Sequence, residues 1–297
     1  MLDFKELTFA DKAWMQPLLD MSSYRSEEYN FSFCYLWRKV FCYSAARMND
    51  YLLIKSSRCD RPPSYLYPPG SGDITPVIEA LRKDAAAFCT PLMFHCVLAD
   101  QKALLESLYP GKFEFLELPE YYDYVYDAQS LITLAGKKLH SKRNHINRFI
   151  SENPGWGYEE ITGENLPEVI EMSNRWLSER EDESASLMQE ARSVSSAIHD
   201  FFDLRLDGGL IRAGGRVVAF SMCDRLTHDT YLVHIEKALG NVNGAYAVIN
   251  REFAAHFCND YLYINREDAS GQPGLIKAKQ SYRPAFLVEK YAAKFIG

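Results

Sequence analysis

The chain has 297 residues, of which 47% are hydrophobic and 13% aromatic, so it can bury the core of one large or two medium domains. A net charge of −7 excludes a surface that attracts nucleic acid as a whole, so any polyanion site must be local. Seven cysteines without a C-x-x-C pair, no leader peptide and no apolar run of about 18 residues predict a cytoplasmic chain with free thiols, no metal site and no transmembrane segment.

Short strands and amphipathic helices alternate along the first half of the chain. Strands are predicted at 51–55, 65–67, 92–98 and 113–118, with helices over about 75–88 and 100–108 between them. The aromatic segment 28–37 has two interpretations, either a segment that lines the core or one wall of a pocket.

A basic segment separates the two halves. Residues 137–149 contain no acid, and their cationic side chains are Lys137, Lys138, Lys142, Arg143 and Arg148. One interpretation is a solvated helix face that balances acids elsewhere, and the other is a platform for phosphate or for an RNA backbone. The Pro- and Gly-containing run 153–157 then predicts a domain boundary.

The second half is organised around residues 208–268. Strands are predicted at 208–213, 216–225, 230–235 and 261–264, with a hairpin turn at Gly214-Gly215. A helix starts at Gly244, and a helix at 273–280 and a strand at 285–288 follow. This order repeats that of the first half, which predicts two copies of one α/β fold.

Two places in the second half are typical of ligand sites. The loop 237–245 opens a helix, and free N–H groups at such a helix start attract a phosphate or another anion, although the loop matches neither a Walker nor a G-x-G-x-x-G pattern. The polar turn 265–268 lies at the end of a predicted strand, where ligands collect in open α/β sheets, and Glu236 lies at the end of the neighbouring strand.

Segments 138–149, 214–220, 234–238, 244–245, 264–268 and 277–284 together resemble an uncharacterised bacterial family. That family is similar to the carboxy-terminal catalytic part of phosphatidylglycerol lysyltransferases and, more distantly, to the Fem peptidoglycan aminoacyltransferases. The tandem order of elements resembles the GNAT acyltransferase fold.

The resemblance implies an α/β (α+β) chain of two tandem GNAT-like domains, each a mixed twisted sheet flanked by helices. The expected boundaries are an N-terminal domain over 1–135, a basic connecting helix and linker over 136–155, and a C-terminal domain over 156–297. The C-terminal domain is the expected active half.

The expected site residues follow from these patterns and from the resemblance. Glu236, Glu267 or Asp268 serves as base or amine anchor, and Tyr282 serves as the acid. The residues expected at the donor cofactor are Ile235, Lys237, Ala238, Asn243, Gly244, Ala245, Tyr246, Asn265, Lys277 and Lys279. The residues expected at the substrate are His234, Arg266, Lys142 and Arg143.

The expected function is transfer of an acyl or aminoacyl group to an amine or hydroxyl, on a small-molecule or peptide acceptor. Two donors remain open: acyl-CoA, which the overall negative charge favours, and aminoacyl-tRNA, which the basic segment favours. The alternative is a non-catalytic GNAT-derived module that binds a nucleotide or a peptide.

Overall fold

The computed structural model describes residues 2–180 and 184–297, which form two compact units. The first unit comprises the described residues up to Asp123, together with Asp268–Pro273 and Leu287–Gly297. The second unit comprises Tyr124–Glu267 and Gly274–Phe286.

Helices and strands alternate throughout both units. Up to residue 117 they are β1 (Lys5–Glu6), α1 (Lys12–Ser22), α2 (Phe31–Phe41), β2 (Tyr43–Met48), β3 (Tyr51–Ser56), β4 (Ser64–Leu66), α3 (Thr75–Ala86), β5 (Met93–Val97), α4 (Ala99–Leu108) and β6 (Phe113–Glu117). After residue 117 they are β7 (Asp123–Asp127), α5 (Ala128–Thr133), α6 (His140–Glu152), β8 (Gly157–Glu160), α7 (Leu166–Ser178), α8 (Ala185–His199), α9 (Phe201–Leu204), β9 (Asp207–Ala213), β10 (Arg216–Arg225), β11 (Thr230–Ala238), α10 (Ala245–Phe257), β12 (Tyr263–Asn265), α11 (Pro273–Gln280), β13 (Phe286–Val288) and β14 (Tyr291–Phe295).

The two sheets have the same architecture, and each takes one strand from the other half of the chain. The strand order is β1-β2-β3-β4-β5-β14-β6 in the first sheet and β8-β9-β10-β11-β12-β7-β13 in the second. The orders correspond position by position, because the seventh strand of each half lies between the fifth and sixth strands of the opposite sheet. The prediction of two mixed sheets built as copies of one fold is confirmed.

This exchange changes the division of the chain from the predicted one at 1–135, 136–155 and 156–297. Strand β7 pairs with β12, so it lies in the second sheet with α5 and α6 next in the chain. Strand β14 pairs with β5 and β6, so the last strand returns to the first unit. Helix α6 is therefore part of the second unit rather than a connecting element. The order of elements along the sequence does not reveal such an exchange, since it carries no information on pairing partners.

In the first unit, the aromatic segment 28–37 forms part of the core. Asn30 follows a short 3-10 helix at Glu27–Tyr29, and its side chain accepts a hydrogen bond from the Phe33 amide at 2.9 Å, which caps α2. The first turns of α2 then bury Phe31 and Leu36 almost completely. The core-lining interpretation is confirmed.

In the second unit, the predicted hairpin joins β9 and β10. Gly214 and Gly215 have φ of 58° and 77°, the left-handed values that favour glycine in a two-residue hairpin turn. Strand β10 pairs with β11 along most of its length, and both are buried in the centre of the sheet. Helix α10 buries an apolar face that includes Val248, Ile249 and Phe253, as its helical spacing predicts.

Candidate active site

The candidate site lies where β11 and β12 part. These parallel strands pair only at Thr230–Leu232 and Tyr263–Asn265. Beyond this point β11 continues along β10 as far as Ala238, while the chain turns away directly after β12. We call the region between the diverging strand ends the second-unit wedge, and its polar side chains come from β11, from the turns after β12 and after α11, and from α6 and α10.

An ion pair spans the second-unit wedge. Nη2 of Arg266 lies 2.7 Å from Oε1 of Glu236, and the two side chains are 11% and 10% exposed. The other carboxylate oxygen of Glu236 accepts a hydrogen bond from Nδ2 of Asn250 at 2.9 Å. Burial opposes the charge on Arg266, but Glu236 outweighs it and raises the pKa of the guanidinium. The guanidinium therefore carries its charge at neutral pH.

Two buried atoms beside this pair lack a hydrogen-bond partner. Within the described residues, Nη1 of Arg266 and Oδ1 of Asn250 are both buried without a partner. The first is a donor and the second an acceptor, and they flank Glu236. An unsatisfied buried polar group costs about 1–3 kcal/mol, so such a pair is typical of a place that a ligand completes.

Tyr282 and Lys142 lie against the same ion pair. The guanidinium of Arg266 is 4.9 Å, and Nζ of Lys142 3.8 Å, from the centroid of the Tyr282 ring. Burial, together with the charge of Arg266, lowers the pKa of Lys142 to about 8, although Glu236 opposes the shift. Burial also raises the pKa of the Tyr282 phenol, which keeps that hydroxyl protonated at neutral pH. Lys142 can therefore accept a proton and Tyr282 can donate one.

The side chains of His234 and Glu267 contact each other and not the ion pair of Arg266 and Glu236. Nδ1 of His234 lies 3.2 Å from Glu267 and Nε2 lies 3.0 Å from Asp224, with the histidine side chain 2% exposed. Burial would lower the pKa of His234, but the two carboxylates outweigh it and raise the pKa to about 9. The contacts of Glu267 thus favour a structural role over the predicted role as base.

The turn after β12 is fixed by its own side chains and by Lys279. Oδ1 of Asn265 accepts a hydrogen bond from the Glu267 amide at 2.7 Å, and Glu267 has a left-handed φ of 58°. Nζ of Lys279 donates to the carbonyls of Arg266 and Glu267, so this lysine holds the backbone rather than a cofactor phosphate. These contacts orient Arg266 toward Glu236.

The helix start at Gly244 is partly occupied by the protein itself. The amides of Ala245 and Ala247 donate to the carbonyls of Val242 and Gly244, which leaves those of Gly244 and Tyr246 without a partner among the described residues. A Cβ on Gly244 would clash with the carbonyl oxygen of His145, so α6 packs directly against this turn. That oxygen presents negative partial charge beside the turn, which disfavours an anion on that side of Gly244.

The other predicted donor residues do not form a common site. Lys237 pairs with Glu190 and lies 4.5 Å from the Trp176 ring centroid, so its charge is already neutralised. The remaining ones are either buried in β11 or exposed on the surface: Ile235 and Ala238 are buried, and Asn243, Tyr246 and Lys277 are exposed.

The contacts of two further predicted residues are with groups other than those of the second-unit wedge. Asp268 belongs to the first unit, where its carboxylate accepts a hydrogen bond from the Ser270 amide at 2.9 Å. Arg143 donates to the carbonyls of Leu134 and Gly136 after α5, although its neighbour Lys142 reaches Tyr282. Adjacent residues on a helix point about 100° apart, so a basic run cannot place all its charges in one site.

Sequence reasoning missed Asn250, which contacts Glu236 directly. The signal was present, because Asn250 is a polar residue on the buried face of α10 and is 4% exposed. A buried amide among apolar neighbours needs a polar partner, and that requirement would have directed attention to it.

Comparison with known proteins places this chain among transferase-related sequences. The family described as "Phosphatidylglycerol lysyltransferase, C-terminal" matches residues 21–294. A conserved protein of unknown function from Bacteroides thetaiotaomicron VPI-5482 is 36% identical over 100% of both chains, with a TM-score of 0.95. The structure of L-PGS from Bacillus licheniformis has a TM-score of 0.67 at 15% identity, covering 96% of this chain and 92% of that one.

A curated relative, the uncharacterized protein MYCGA3080 of Mycoplasmoides gallisepticum, is 28% identical over 180 residues. The match covers 59% of this chain and 56% of the relative, so it spans about half the relative's length. The resemblance and the tandem GNAT-like fold class are confirmed by the family match and the L-PGS structure. Among the residues that the structure describes, none of the helices combines the length and apolar character needed to cross a bilayer.

Proposed function

We propose, on the premise that this chain belongs to the phosphatidylglycerol lysyltransferase C-terminal family, that it transfers an aminoacyl group from an aminoacyl-tRNA to an amine or hydroxyl acceptor. Family membership supports an aminoacyl- or acyl-transferase type of function. The choice of donor and the roles of individual residues are our proposal, argued from the contacts in the second-unit wedge.

The observation that carries the proposal is the pair of buried atoms beside Glu236 that have no hydrogen-bond partner among the described residues. Nη1 of Arg266 needs an acceptor and Oδ1 of Asn250 needs a donor, and both are buried. An aminoacyl ester offers a carbonyl oxygen and, two bonds from its carbonyl carbon, an ammonium group. The carbonyl would satisfy Arg266, and the ammonium would satisfy Asn250 and the carboxylate of Glu236.

The same contacts favour an aminoacyl donor over acyl-CoA. A simple acyl thioester has no ammonium group for Asn250 and Glu236, so the acceptor atom would stay unsatisfied. The loop that would hold the coenzyme A pyrophosphate is also covered at Gly244 by the His145 carbonyl. Both arguments support the aminoacyl-tRNA alternative.

In the proposed step, the neutral amine of Lys142 takes a proton from the acceptor as the acceptor attacks the ester carbonyl carbon. Arg266 stabilises the negative charge that develops on the carbonyl oxygen, an effect typically worth about 10²–10³-fold in rate. The bond between the carbonyl carbon and the ribose oxygen breaks, and Tyr282 gives its proton to that oxygen. Lys142 then loses its proton to solvent and the Tyr282 phenolate regains one from solvent, because Nζ of Lys142 lies over the ring face, 3.8 Å from the centroid, rather than at the hydroxyl.

The direct test compares an aminoacylated RNA acceptor stem with the same stem deacylated. We expect tighter binding of the aminoacylated stem, with the difference reduced about tenfold in Arg266→Gln, because one charge-assisted hydrogen bond contributes about 1.5–3 kcal/mol. Lys277→Gln is the matched control, since Lys277 is exposed on α11 outside the wedge.

Equal affinity of the wild-type protein for both stems would contradict the proposal. Release of the amino acid from the bound stem distinguishes a transferase from the non-catalytic alternative. If the aminoacylated stem binds selectively but no transfer or hydrolysis is detected with any acceptor mixture, the binding-module function takes the place of the transferase.

A further inference from the structure

One face of α6 carries polar residues that the transfer step does not use. His140, Arg143, Asn144 and Asn147 follow the spacing i, i+3, i+4, i+7, which places them on one side of the helix. Lys142 projects from another side, toward Tyr282. The basic segment therefore has two functionally separate faces.

This face borders a cavity of about 160 Å³ in the second unit. The cavity has room for several water molecules, at about 30 Å³ of liquid volume each. The C-terminal end of α5 and Arg251 of α10 complete the lining, and the buried side chains of Leu134 and Ile146 form an apolar floor. None of the lining residues is an acid, although acids outnumber bases in the chain as a whole.

Both arginines at the cavity are held in position by hydrogen bonds that use only some of their N–H groups. Arg143 uses Nη1 for the carbonyls of Leu134 and Gly136, so its Nε and most of its Nη2 capacity remain. Arg251 is held through Nε and Nη2 by one oxygen of Glu252, and its Nη1 remains. The side chains of Asn144 and Asn147 add amide donors on the same face.

We propose that this cavity binds a phosphate group. Two guanidinium groups and two amides supply more donors than the two oxygens of a carboxylate can use, whereas a phosphate presents oxygens in several directions. Arginine held in a fixed orientation is also the side chain best suited to phosphate geometry. The site is separate from the second-unit wedge and stands whether or not the aminoacyl-transfer proposal holds.

The phosphate has two possible sources with the same chemistry: a phosphodiester of an RNA backbone or free inorganic phosphate. An RNA phosphate would anchor the strand on α6, and its contribution would depend on salt through counterion release. Free phosphate would bind as a separate ligand and would not compete with a ligand bound at the second-unit wedge.

The test titrates the full chain with inorganic phosphate by calorimetry and, separately, with an RNA stem-loop across a range of salt. Arg251→Gln removes one guanidinium from the cavity, and Asn147→Asp adds a negative charge without changing size. We expect each to weaken phosphate binding about tenfold or more. The matched controls are Arg148→Gln, an exposed arginine of α6 paired with Glu152, and Ser141→Asp, an exposed α6 position outside the cavity face.

If RNA is the source, phosphate also competes with the stem-loop, and Arg251→Gln reduces the salt slope of RNA binding by about one. If phosphate binding depends on Arg251 and Asn147 while RNA binding does not, free phosphate is the ligand. The proposal is overturned if millimolar phosphate does not bind the wild-type chain, or if it binds equally well to both cavity variants. Unfolding temperatures confirm that each variant is folded.

Discussion

The first unit has a wedge at the equivalent place, between the diverging β4 and β5, and it is closed by neutral hydrogen bonds. The Tyr29 hydroxyl donates to the Tyr67 carbonyl after β4 at 3.2 Å and accepts from Nε2 of Gln101 at 2.9 Å. Oε1 of Gln101 accepts from the Leu98 amide after β5 at 2.9 Å. Each of these groups has a partner within the unit, so the network of Tyr29 and Gln101 leaves no polar atom for a ligand. Among the described residues, Nε2 of His95 on β5 is the buried atom near this point that has no partner.

The second-unit wedge differs from the first-unit wedge in two ways: its side chains are charged, and some of its buried polar atoms have no hydrogen-bond partner. Arg266 and Glu236 form an ion pair, and Arg266 and Asn250 each keep a buried atom without a partner among the described residues. Retaining unsatisfied atoms costs stability, which a closed wedge of the first type avoids. The difference teaches that two copies of one fold can separate a structural half from a ligand-binding half by filling the same gap with different side chains.

The largest effect is expected in the first unit, at Lys290. This lysine is 0% exposed, and Nζ lies 2.6 Å from Asp123 and 2.7 Å from Glu28. Lys290→Met leaves buried carboxylates without their cation, and the free energy of unfolding should fall by about 3–5 kcal/mol in urea denaturation. Lys294→Met, at an exposed position of β14, is the control and should change it by less than about 0.5 kcal/mol.

The pH dependence of this cluster has a defined sign. The carboxylates outweigh burial and raise the pKa of Lys290, so its contribution is present below about pH 10 and is lost as pH rises further. Burial would raise the pKa of Glu28, but Lys290 outweighs it and lowers that pKa. The contribution of Glu28 to stability is therefore present above about pH 4 and is lost in acid. A Lys290→Met chain as stable as wild type at pH 7 would contradict this account.

The second-unit ion pair should behave differently when both partners are replaced. Arg266→Met alone leaves Glu236, whose side chain is 10% exposed in the intact pair, without its cation, and should cost about 3 kcal/mol. Arg266→Met with Glu236→Leu should recover most of this loss, because the charges no longer need desolvation and the unfilled donor of Arg266 is gone, while Nδ2 of Asn250 loses its acceptor. Selective binding of the aminoacylated stem should be lost in both. A double variant that still discriminates between charged and uncharged stems would separate the ion pair from the function.

Matched Tyr→Phe changes in the two wedges should have opposite consequences. Tyr29→Phe removes the partner of Gln101 and of the Tyr67 carbonyl, and should destabilise the chain by about 1–3 kcal/mol without affecting ligand binding. Tyr282→Phe removes a hydroxyl that has no hydrogen-bond partner among the described residues, so stability should change by less than about 0.5 kcal/mol while transfer slows. Thermal unfolding and transfer rates, measured on both variants, check this pair of outcomes.

The smallest effect is expected in the pH profile of transfer. Since burial and Arg266 lower the pKa of Lys142 to about 8, its neutral fraction should rise about tenfold between pH 7 and pH 9. The transfer rate should increase with pH over this interval and level off above it. In Lys142→Met the transfer rate should be low and independent of pH. If this variant keeps the wild-type pH profile, another group is the base.

Sequence patterns predicted the order of elements in each half and selected Glu236 and Arg266 as candidates, because strand ends and polar turns have clear local signatures, but they missed Asn250. They could not predict the exchange of β7 and β14, since strand pairing depends on contacts between residues far apart in the chain. They also grouped Lys142 with Arg143, although the two side chains leave α6 in different directions. They grouped Glu236 with Asp268, although these residues belong to different units. Spacing along a sequence does not fix which side of an element a side chain faces in the folded protein.

The most direct measurement is a crystal structure of the chain with a non-hydrolysable aminoacyl-adenosine analogue, in which an amide replaces the ester. The account predicts density in the second-unit wedge, with the carbonyl oxygen on Nη1 of Arg266 and the amino group on Oδ1 of Asn250, and none beside Tyr29. Density in the first-unit wedge, or an analogue at saturating concentration that leaves Arg266 and Asn250 without partners, would contradict it.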